Sequence, residues 1–369
     1  MNPPSIYLSA GEASGDRIGA RLAEALHAAE PGLRLVGMGG PRMRTAGVEL
    51  VQDATPCGAH GLAEVVGALP AHHRLLRAVQ RGFTERRYRL AVFIDYPGFH
   101  LAAARAARQA GVRTLQYVAP QLWAWGAWRA GRVRRRLDRL AVILPFEEAF
   151  FRDRGVDARF VGHPLLDEPT TTRAESRATL GLSAGDRVLG LVPGSRREEV
   201  ARLWPVFRDA ARRLSRELPD LVVLAAAMPE VRYPDAHGVR LVTGGAESVL
   251  AAADAALCKA GTSTLEAALA GTPHVVAYRV HPVTWQVARR LVRLPWVGLV
   301  NLLAERRAVP ELLQDLATPS ALAEAVRPLL DGDCHAVDRQ REAFALVRGR
   351  LGSPGAGRRV AALALESVA

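Results

Sequence analysis

Lysine is almost missing from this chain, because all of its 49 basic residues are arginine except Lys259. So strong an arginine bias reflects genome composition in part, which weakens any single arginine as a functional signal. The formal net charge of +12 still favours an anionic partner, such as nucleic acid, a phosphorylated substrate or an acidic membrane surface.

Cysteines and aromatic residues are also scarce. Cys57, Cys258 and Cys334 are odd in number and far apart, which fits a reducing cytosol and offers no zinc-type spacing. Aromatic residues make up 6% of the chain, and no helix-turn-helix, RRM or KH signature appears. These absences argue against a nucleic-acid-binding protein, although the positive charge keeps that alternative open.

Long apolar segments are absent as well. No run reaches the ~20 apolar residues needed to cross a bilayer. The N-terminus, Met1-Asn-Pro-Pro-Ser5, has no basic stretch leading into an apolar one, so no signal peptide is expected. The sequence predicts a protein that is soluble or that rests on a membrane without spanning it.

What the chain does contain is a repeated alternation of apolar strands and helices. Its 369 residues are too many for one typical core, so two domains are expected. The predicted strands are 6–9, 33–37, 90–94, 114–118, 140–144 and 159–161, followed by 187–192, 221–226, 239–242, 255–258 and 274–278. A polar, proline-interrupted stretch places the domain boundary near residue 165. This pattern predicts two parallel α/β domains that face each other across a cleft.

Two turns in the second half follow strands and open helices. One is Pro193-Gly-Ser-Arg196 and the other is Ala260-Gly-Thr-Ser263. A helix that opens behind such a turn directs free N–H groups and a positive dipole end outward, which suits a phosphate or diphosphate. Ser263 and Glu266 also have the spacing of a capping box, and Gly271 is expected to end the helix. The alternative is a pair of ordinary, well-capped turns.

Asp95 follows the clearest buried strand of the first half. Catalytic side chains of parallel sheets lie at such strand ends, and a carboxylate there is a candidate general base. The alternative is a turn former or a helix cap. The first strand leads into a loop with Gly11, Gly15 and Gly19 at intervals of four, which matches neither the dinucleotide fingerprint nor a Walker loop.

Apolar stripes at helical spacing indicate either core packing or a surface for acyl chains and lipid. They comprise Leu62, Val65, Val66 and Leu69, then Leu75, Leu76, Val79 and Phe83, and the tryptophan- and arginine-containing segment 284–296. The helix with Arg129, Arg132, Arg134, Arg135, Arg136 and Arg139 is either a solvated face or a contact for anionic head groups.

In their order and spacing, the motifs resemble the lipid-A-disaccharide synthase family over nearly the whole chain. The residues that carry the resemblance are Ser9-Ala-Gly-Glu-Ala-Ser-Gly-Asp16, Gly39-Gly-Pro-Arg-Met43, Ile94-Asp-Tyr-Pro97, Tyr117-Val-Ala-Pro120, Trp123-Ala-Trp125, Leu144-Pro-Phe-Glu147, Phe160-Val-Gly-His-Pro164, Pro193-Gly-Ser-Arg196, Gly261-Thr-Ser-Thr-Leu-Glu266, Val276-Ala-Tyr-Arg279 and Asn301-Leu-Leu303. One departure is Pro97-Gly-Phe-His100, where the family usually has Pro-Asp-Phe-Asn. It leaves Asp95 as the only carboxylate of that motif.

The resemblance implies an α/β fold of the GT-B type, with two Rossmann-like parallel-sheet domains facing a central cleft. Residues 1–165, joined by a C-terminal helix at 350–369, would form the acceptor and membrane-facing domain, and 166–349 the UDP-sugar domain. The implied reaction joins UDP-2,3-diacylglucosamine to 2,3-diacylglucosamine 1-phosphate by a metal-independent inverting displacement, without a cofactor.

The resemblance also implies roles for individual residues. Asp95 would be the catalytic base, and Arg196 would stabilise the leaving diphosphate. The expected substrate and UDP contacts are Ser14, Gly15, Gly194, Ser195, Gly261, Thr262, Ser263, Glu266 and Asn301. Glu266 would hold ribose hydroxyls, although its capping-box role competes with this.

The implied location is the cytoplasmic face of the inner membrane, with peripheral attachment and no nucleic-acid partner. The oligomeric state is left open, with a homodimer as one alternative. A UDP-N-acetylglucosamine 2-epimerase of the same fold is the nearest rival, since it shares the nucleotide site but needs no acyl-chain surface.

Overall fold

The computed structural model describes residues 5–53, 62–85, 88–292 and 294–368, with side chains throughout these ranges except at 53 and 62–72. The chain divides into two compact units. The first comprises Met1–Glu168 together with Leu351–Ala369, and the second comprises Pro169–Arg350.

The first unit is built on a seven-stranded parallel sheet. Its strands are β1 (Ser5–Ala10), β2 (Arg34–Gly39), β3 (Glu49–Asp53), β4 (Tyr88–Ile94), β5 (Arg113–Tyr117), β6 (Arg139–Val142) and β7 (Ala158–Phe160). Their spatial order is 3-2-1-4-5-6-7. The central strands β1 and β4 read as nearly continuous apolar runs because helices cover both faces of a parallel sheet.

In the described part of this unit, seven helices cover the sheet. They are α1 (Ala13–Ala29), α2 (Pro41–Thr45), α3 (Leu62–Glu85), α4 (Pro97–Gln109), α5 (Ala130–Arg136), α6 (Pro145–Arg152) and, from the end of the chain, α15 (Ala356–Glu366). One core packs around Tyr7, Phe83 and Phe93. A second core contains Leu8 and Leu22 and takes Val360 and Ala364 from α15, which packs against α1.

The second unit has a six-stranded parallel sheet with the order 10-9-8-11-12-13. Its strands are β8 (Arg187–Val192), β9 (Leu221–Ala227), β10 (Arg240–Thr243), β11 (Ala255–Lys259), β12 (His274–Tyr278) and β13 (Glu311–Leu313). Its helices are α7 (Arg173–Thr179), α8 (Arg197–Glu217), α9 (Ala246–Ala252), α10 (Thr262–Leu269), α11 (Pro282–Leu291), α12 (Leu299–Ala304), α13 (Pro319–Leu330) and α14 (Cys334–Arg350). This strand order is that of a Rossmann sheet.

The predicted class, two Rossmann-like parallel α/β sheets, is confirmed, whereas the facing of the two domains across a cleft stays a prediction. Two strands were missed. Neither β3 (Glu49–Asp53) nor β13 (Glu311–Leu313) was among the predicted strands, and both lie at the edge of their sheet. Both are short, with five and three residues, so each gives only a brief apolar signal.

The long amphipathic stretch of the first half forms α3, which continues through Pro70. Val79 and Phe83 are buried, and Leu75 and Leu76 pack half-buried against the same core. Core packing is therefore the correct interpretation for the second stripe. The first stripe (Leu62, Val65, Val66 and Leu69) lies outside the described side chains. Within the described residues, no helix is both long enough and apolar enough to cross a membrane.

Candidate active site

Each sheet has one point where the strand order reverses, and the polar motifs lie there. In the first sheet the reversal lies between β1 and β4, so the turn at Gly11 and the turn at Asp95 are neighbours. In the second sheet it lies between β8 and β11, so the turns at Gly194 and Gly261 are neighbours. Ligands of open α/β sheets bind at the carboxyl ends of strands at such points.

The backbone at Asp95 is strained. Asp95 and the following Tyr96 both have left-handed conformations, with φ angles of 53° and 48°. At the end of the adjacent β5, Val118 has a φ angle of 70°, which is unusual for a β-branched residue. Strain of this kind is costly and is found preferentially at functional sites.

Two buried side chains hold the Asp95 turn through its carbonyl oxygen. His100 places Nδ1 2.6 Å from that oxygen, and the Gln116 carboxamide donates to it from 2.9 Å. The same Gln116 nitrogen lies 3.2 Å from the carbonyl oxygen of Val118. Gln116 therefore links the strained turns after β4 and β5, and the backbone of Asp95 is held by two side chains.

His100 lies in the core beneath the Asp95 turn, among the rings of Phe93, Tyr96 and Phe99. Burial lowers its pKa to about 4, so the imidazole is neutral near pH 7. Because a carbonyl oxygen only accepts, Nδ1 must carry the proton, and Nε2 accepts from the Ser9 hydroxyl at 2.9 Å. In the sequence, His100 stood out only as a departure from the family motif at residues 97–100. Its hydrogen bond to the Asp95 turn was not predicted.

The turn after β1 begins α1 at Ala13, with Glu12 as the N-cap residue. Ser14 is exposed in the first helical turn, whereas Gly15 is buried. A Cβ atom at Gly15 would lie 3.3 Å from the Cβ of Ala10, so this glycine allows α1 to pack closely on β1. Ser14 therefore offers a side chain to a ligand, while Gly15 can offer only its backbone.

Asp16 is a helix cap for a different helix. Its carboxylate accepts hydrogen bonds from the backbone N–H groups of Gly40, Arg42 and Met43, at 2.8–3.0 Å. This arrangement satisfies the free N–H groups at the start of α2. It also explains why two separate motifs, one ending at Asp16 and one at residues 39–43, occur together in the sequence.

The aromatic loop after β5 is fixed by Glu147. This buried carboxylate accepts from the Trp123 indole N–H at 2.9 Å and from the backbone N–H of Leu144 at 3.0 Å. Burial raises the pKa of Glu147 to about 7, and the hydrogen bonds oppose that rise. Trp125 is 46% exposed, with the Arg129 guanidinium 4.0 Å above its ring. One tryptophan is thus anchored while the other remains at the surface.

In the second unit, glycines form the turns at the reversal point. Gly194 and Gly261 have φ angles of 122° and 141°, which only glycine adopts readily. The helices α8 and α10 open at Arg197 and Thr262, with Arg196 and Gly261 as their N-cap residues. Neither N-cap residue makes a side-chain hydrogen bond to its helix.

The capping-box prediction for Ser263 and Glu266 is wrong. The Ser263 hydroxyl donates to the carbonyl oxygen of Lys259 at 2.7 Å, so it points back to β11. Gly261 is the N-cap residue, because the helix begins two residues earlier than a box at Ser263 would require. Glu266 therefore lies in the second turn of α10, where it is half-buried. The predicted end of this helix is confirmed by Gly271, which has a φ angle of 73°.

Charged side chains surround these two turns. Lys259 Nζ lies 2.9 Å from Glu199 Oε1, and Arg196 Nη1 lies 3.8 Å from the same oxygen. Burial raises the pKa of Tyr278, and Glu199 adds to this rise while Arg196 opposes it. Within the described ranges, no three histidine, cysteine, aspartate or glutamate side chains are grouped to hold a metal ion.

Asn301 does not offer its side chain to a ligand. It is fully buried on α12, where its amide nitrogen donates to Val309 and Glu311 and its oxygen accepts from Ala308 and Val309. These four hydrogen bonds use all of the capacity of an asparagine side chain. The Asn301 side chain thus fixes the segment that precedes β13, and the predicted contact of Asn301 with the nucleotide stays a prediction.

Solved structures with this architecture define the class of fold. The UDP-GlcNAc 2-epimerase from Neisseria meningitidis, bound to UDP-GlcNAc, matches with a TM-score of 0.66 at 11% identity, covering 99% of this chain and 100% of that one. The calicheamicin glycosyltransferase CalG4 matches with a TM-score of 0.60 at 18% identity, covering 100% and 99%. The chain thus has the two-unit α/β fold of GT-B glycosyltransferases and UDP-sugar epimerases.

Sequence comparison then separates these possibilities. The family model for lipid-A-disaccharide synthetase matches residues 6–350. The lipid-A-disaccharide synthase of Anaeromyxobacter sp. (strain K) is 44% identical over 366 residues, which cover 96% of this chain and 95% of that protein. That of Myxococcus xanthus is 41% identical over 377 residues, covering 99% and 98%. The chain belongs to the lipid-A-disaccharide synthetase family and is a glycosyltransferase of lipid A biosynthesis, which confirms the resemblance drawn from the motifs.

Proposed function

We propose that the chain transfers the diacylglucosamine unit of UDP-2,3-diacylglucosamine to the 6-hydroxyl of 2,3-diacylglucosamine 1-phosphate. The products are the β-1,6-linked disaccharide 1-phosphate and UDP. The observation that carries the proposal is chemical complementarity between the two reversal points. One presents a carboxylate on a fixed backbone, and the other presents glycine turns with cations. A sugar transfer needs both a proton acceptor and a cradle for the departing diphosphate.

Asp95 acts as the general base in this scheme. Its carboxylate accepts the proton of the acceptor 6-hydroxyl as that oxygen attacks the anomeric carbon. The bond between this carbon and the diphosphate oxygen breaks on the opposite face, its electron pair leaves with UDP, and the configuration inverts. A carboxylate at the end of β4 suits this task because its backbone is held by His100 and Gln116.

The leaving group is stabilised by the second unit. Negative charge grows on the diphosphate during the transfer, and preorganised donors lower the barrier when they are aimed at that charge. Arg196 supplies a guanidinium, and the turns with Gly194–Ser195 and Gly261–Ser263 supply backbone N–H groups at the starts of α8 and α10. The scheme needs no metal, because the chain itself provides the positive charge.

The remaining assignments follow from position. Glu266 binds ribose hydroxyls, and its half-buried place in the second turn of α10 supports this better than a capping box would. Ser14 is exposed at the start of α1 and contacts the acceptor sugar or its phosphate. The first unit is thus assigned to the acceptor and the second to the UDP-sugar.

Because both substrates carry acyl chains, we expect the protein to attach to the cytoplasmic face of the inner membrane. Helix α11 supports this, since none of its residues is buried. Val283, Val287 and Leu291 recur at every fourth position and are 66%, 50% and 48% exposed. Arg289 and Arg290 on the same helix are exposed too, and an apolar stripe with flanking cations is typical of helices that lie in an anionic membrane surface.

Vesicle binding tests the membrane assignment. Replacing Val283 and Leu291 together by serine should weaken sedimentation with phosphatidylglycerol-containing vesicles. The matched control is Leu346→Ser, which alters an exposed leucine on α14 of the same unit. Equal binding by the double variant and the control would remove α11 from the membrane contact.

The reaction itself is tested by incubating the protein with both acylated substrates and analysing the product by mass spectrometry. The expected product is the tetraacyl disaccharide 1-phosphate, formed equally well with and without EDTA. A large loss in EDTA would contradict the metal-independent scheme. A parallel incubation with UDP-N-acetylglucosamine alone separates the rival, because only an epimerase would convert it.

A further inference from the structure

Lys259 is the one lysine in a chain whose other basic residues are all arginine. Because nearly every basic position in this chain is arginine, the lysine at 259 indicates that lysine and arginine are not equivalent at this position. A lysine ammonium is a compact point charge with three donors, whereas an arginine guanidinium is a wide planar fork. The position therefore calls for a small cation.

The place of Lys259 in the fold is the end of β11, immediately before the turn at Gly261. Strand β11 pairs with β8, and Cys258 lies beside Val192, so the end of β11 adjoins the turn at Gly194. Lys259 is thus located between the two glycine turns at the reversal point of the second sheet. A cation at this position faces the same region as the N–H groups of both turns.

The described contact of the Lys259 ammonium is with one carboxylate. Its Nζ lies 2.9 Å from Glu199 Oε1, and Arg196 Nη1 approaches that oxygen to 3.8 Å. The side chains of Lys259 and Glu199 are each 19% exposed, so the pair is sheltered but reachable from solvent. Two cations thus approach one carboxylate oxygen beside the glycine turns.

The glycine turns leave the space that this ion pair occupies. A Cβ atom at Gly194 would lie 2.6 Å from Glu199 Oε2, and one at Gly261 would lie 3.1 Å from Lys259 Nζ. Both turns are therefore close to the pair: a side chain at Gly194 would displace Glu199, and one at Gly261 would make the Lys259 ammonium move by a few tenths of an ångström. The pair is an integral part of the turns and not a surface salt bridge beside them.

We infer that Lys259 binds a phosphate of the nucleoside diphosphate, and that Glu199 is the counter-ion which this phosphate replaces. The inference rests on the proposed function, which places the diphosphate at these turns. A phosphate group has several acceptor oxygens that suit a lysine ammonium. Glu199 thus keeps the cluster neutralised and the ammonium in place while the nucleotide is absent.

The test measures UDP affinity by calorimetry, with uridine as the uncharged ligand. Lys259→Met should weaken UDP binding by about 10- to 100-fold, because a charge-assisted hydrogen bond is lost, and should leave the affinity for uridine unchanged. Lys259→Arg should recover only part of the loss. Arg213→Met, on the exposed face of α8, removes the same charge far from the turns and should bind UDP like the wild type.

Lys259→Met also leaves the Glu199 carboxylate without the ammonium, so this carboxylate could repel the phosphate. A double variant separates that repulsion from the loss of a contact between Lys259 and the phosphate. Glu199→Gln alone should bind UDP a few-fold more tightly, because no carboxylate competes with the phosphate. Adding Lys259→Met to Glu199→Gln should again weaken binding by at least about tenfold. If the double variant binds as well as Glu199→Gln, Lys259 makes no phosphate contact and the inference fails. Weaker binding by Glu199→Gln would refute the counter-ion role.

Two further outcomes separate this inference from the proposed function. If the wild-type protein binds UDP and forms the disaccharide while Lys259→Met binds UDP equally well, only the inference is wrong. If the wild type binds no UDP, both are wrong. Thermal melting of each variant shows whether it is folded, and Lys259→Arg keeps the comparison valid if the methionine variant does not fold.

Discussion

At the reversal point of the first sheet, Asp95 and Tyr96 have left-handed conformations, and so does Val118 after the adjacent strand β5. At the reversal point of the second sheet, the left-handed residues are Gly194 and Gly261. The first set carries side chains at a conformational cost of the order of 1–3 kcal/mol each. The second set has no side chains and almost no such cost. The same kind of strand end thus serves two purposes: strained residues aim one side chain, and glycines expose the backbone.

The surroundings of the two points differ in the same way. Beneath Asp95 lies a neutral network of Ser9, His100 and Gln116, which is buried and tied to backbone carbonyls. Around Gly194 and Gly261 lie partly exposed charges. A base must keep one position, which favours a rigid core, whereas an anion site must admit and release its ligand. The following predictions test this contrast, from the largest effect to the smallest.

Replacing the base should have the largest effect. Asp95→Asn removes the proton acceptor but keeps the size of the side chain, so kcat should fall by about 10²- to 10⁴-fold while the protein stays folded. Initial rates of disaccharide formation measure this. Asp153→Asn, at the exposed end of α6, is the matched control. Near-normal turnover in Asp95→Asn would remove Asp95 from the base position and with it the contrast between the two points.

Removing the cation of the leaving-group turn should have the next largest effect. Arg196→Met should lower kcat by roughly 10²- to 10³-fold, as the loss of one preorganised donor does elsewhere. The neighbouring exposed residue provides the control, because Arg197→Met changes the charge equally. If both variants lose activity to the same extent, the loss comes from the overall positive electrostatic potential of the region and not from a specific contact of Arg196.

Loosening the network beneath Asp95 should cost less. His100→Ala removes one of the two donors to the Asp95 carbonyl and leaves only Gln116, so the carboxylate is held less firmly and kcat should fall by roughly 10- to 100-fold. His100→Asn retains a donor of the kind usual in the family and should restore much of the rate. The measurement is kcat and KM for both substrates. A rise in KM with unchanged kcat, or equal loss in both variants, would contradict a positioning role.

Acid should destabilise both units through buried neutral histidines. Burial lowers the pKa of His100, His163 and His274 to about 4 from 6.5, so the folded chain binds fewer protons than the unfolded chain between these values. The free energy of unfolding is therefore unaffected by these histidines above pH 6.5. It falls as the pH drops towards 4, by at most roughly 3 kcal/mol for each histidine. Glu147, whose pKa is raised to about 7, acts in the opposite direction between 4.5 and 7.

Urea unfolding at a series of pH values measures this linkage in each unit separately. His100→Asn in the first unit and His274→Leu in the second should each reduce the slope of unfolding free energy against pH by up to about 1.4 kcal/mol per pH unit. The slope is the readout because either substitution also changes absolute stability. An unchanged slope in one variant would mean that its histidine titrates equally in the folded and unfolded chain.

The sequence predicted the central strands well because their signal is local. Strands β8 and β12 were predicted at their observed bounds, since a strand buried on both faces is a continuous apolar run. The edge strands β3 and β13 were missed because they contain polar residues and depend on a neighbour for their pairing. Tertiary pairing of that kind has no signature within a short window.

Only part of the candidate site could be predicted, because some of its features are local in sequence and others depend on contacts between elements. The places of Asp95, Gly194 and Gly261 follow from strand ends and glycine turns, which are local. The capping box failed because the spacing of Ser263 and Glu266 does not reveal that α10 opens at Thr262. His100, Glu199 and Glu147 were missed because each acts through a partner distant in sequence or on another element.

One close approach has a consequence for how relatives of this chain can vary. A Cβ atom at Gly11 would lie 2.6 Å from the ring of Tyr96, the residue that follows the proposed base Asp95. A larger residue at 11 would push that ring and, through the shared backbone, shift Asp95. Substitutions at positions 11 and 96 should therefore occur together: a homologue with alanine or serine at 11 should carry a smaller residue at 96.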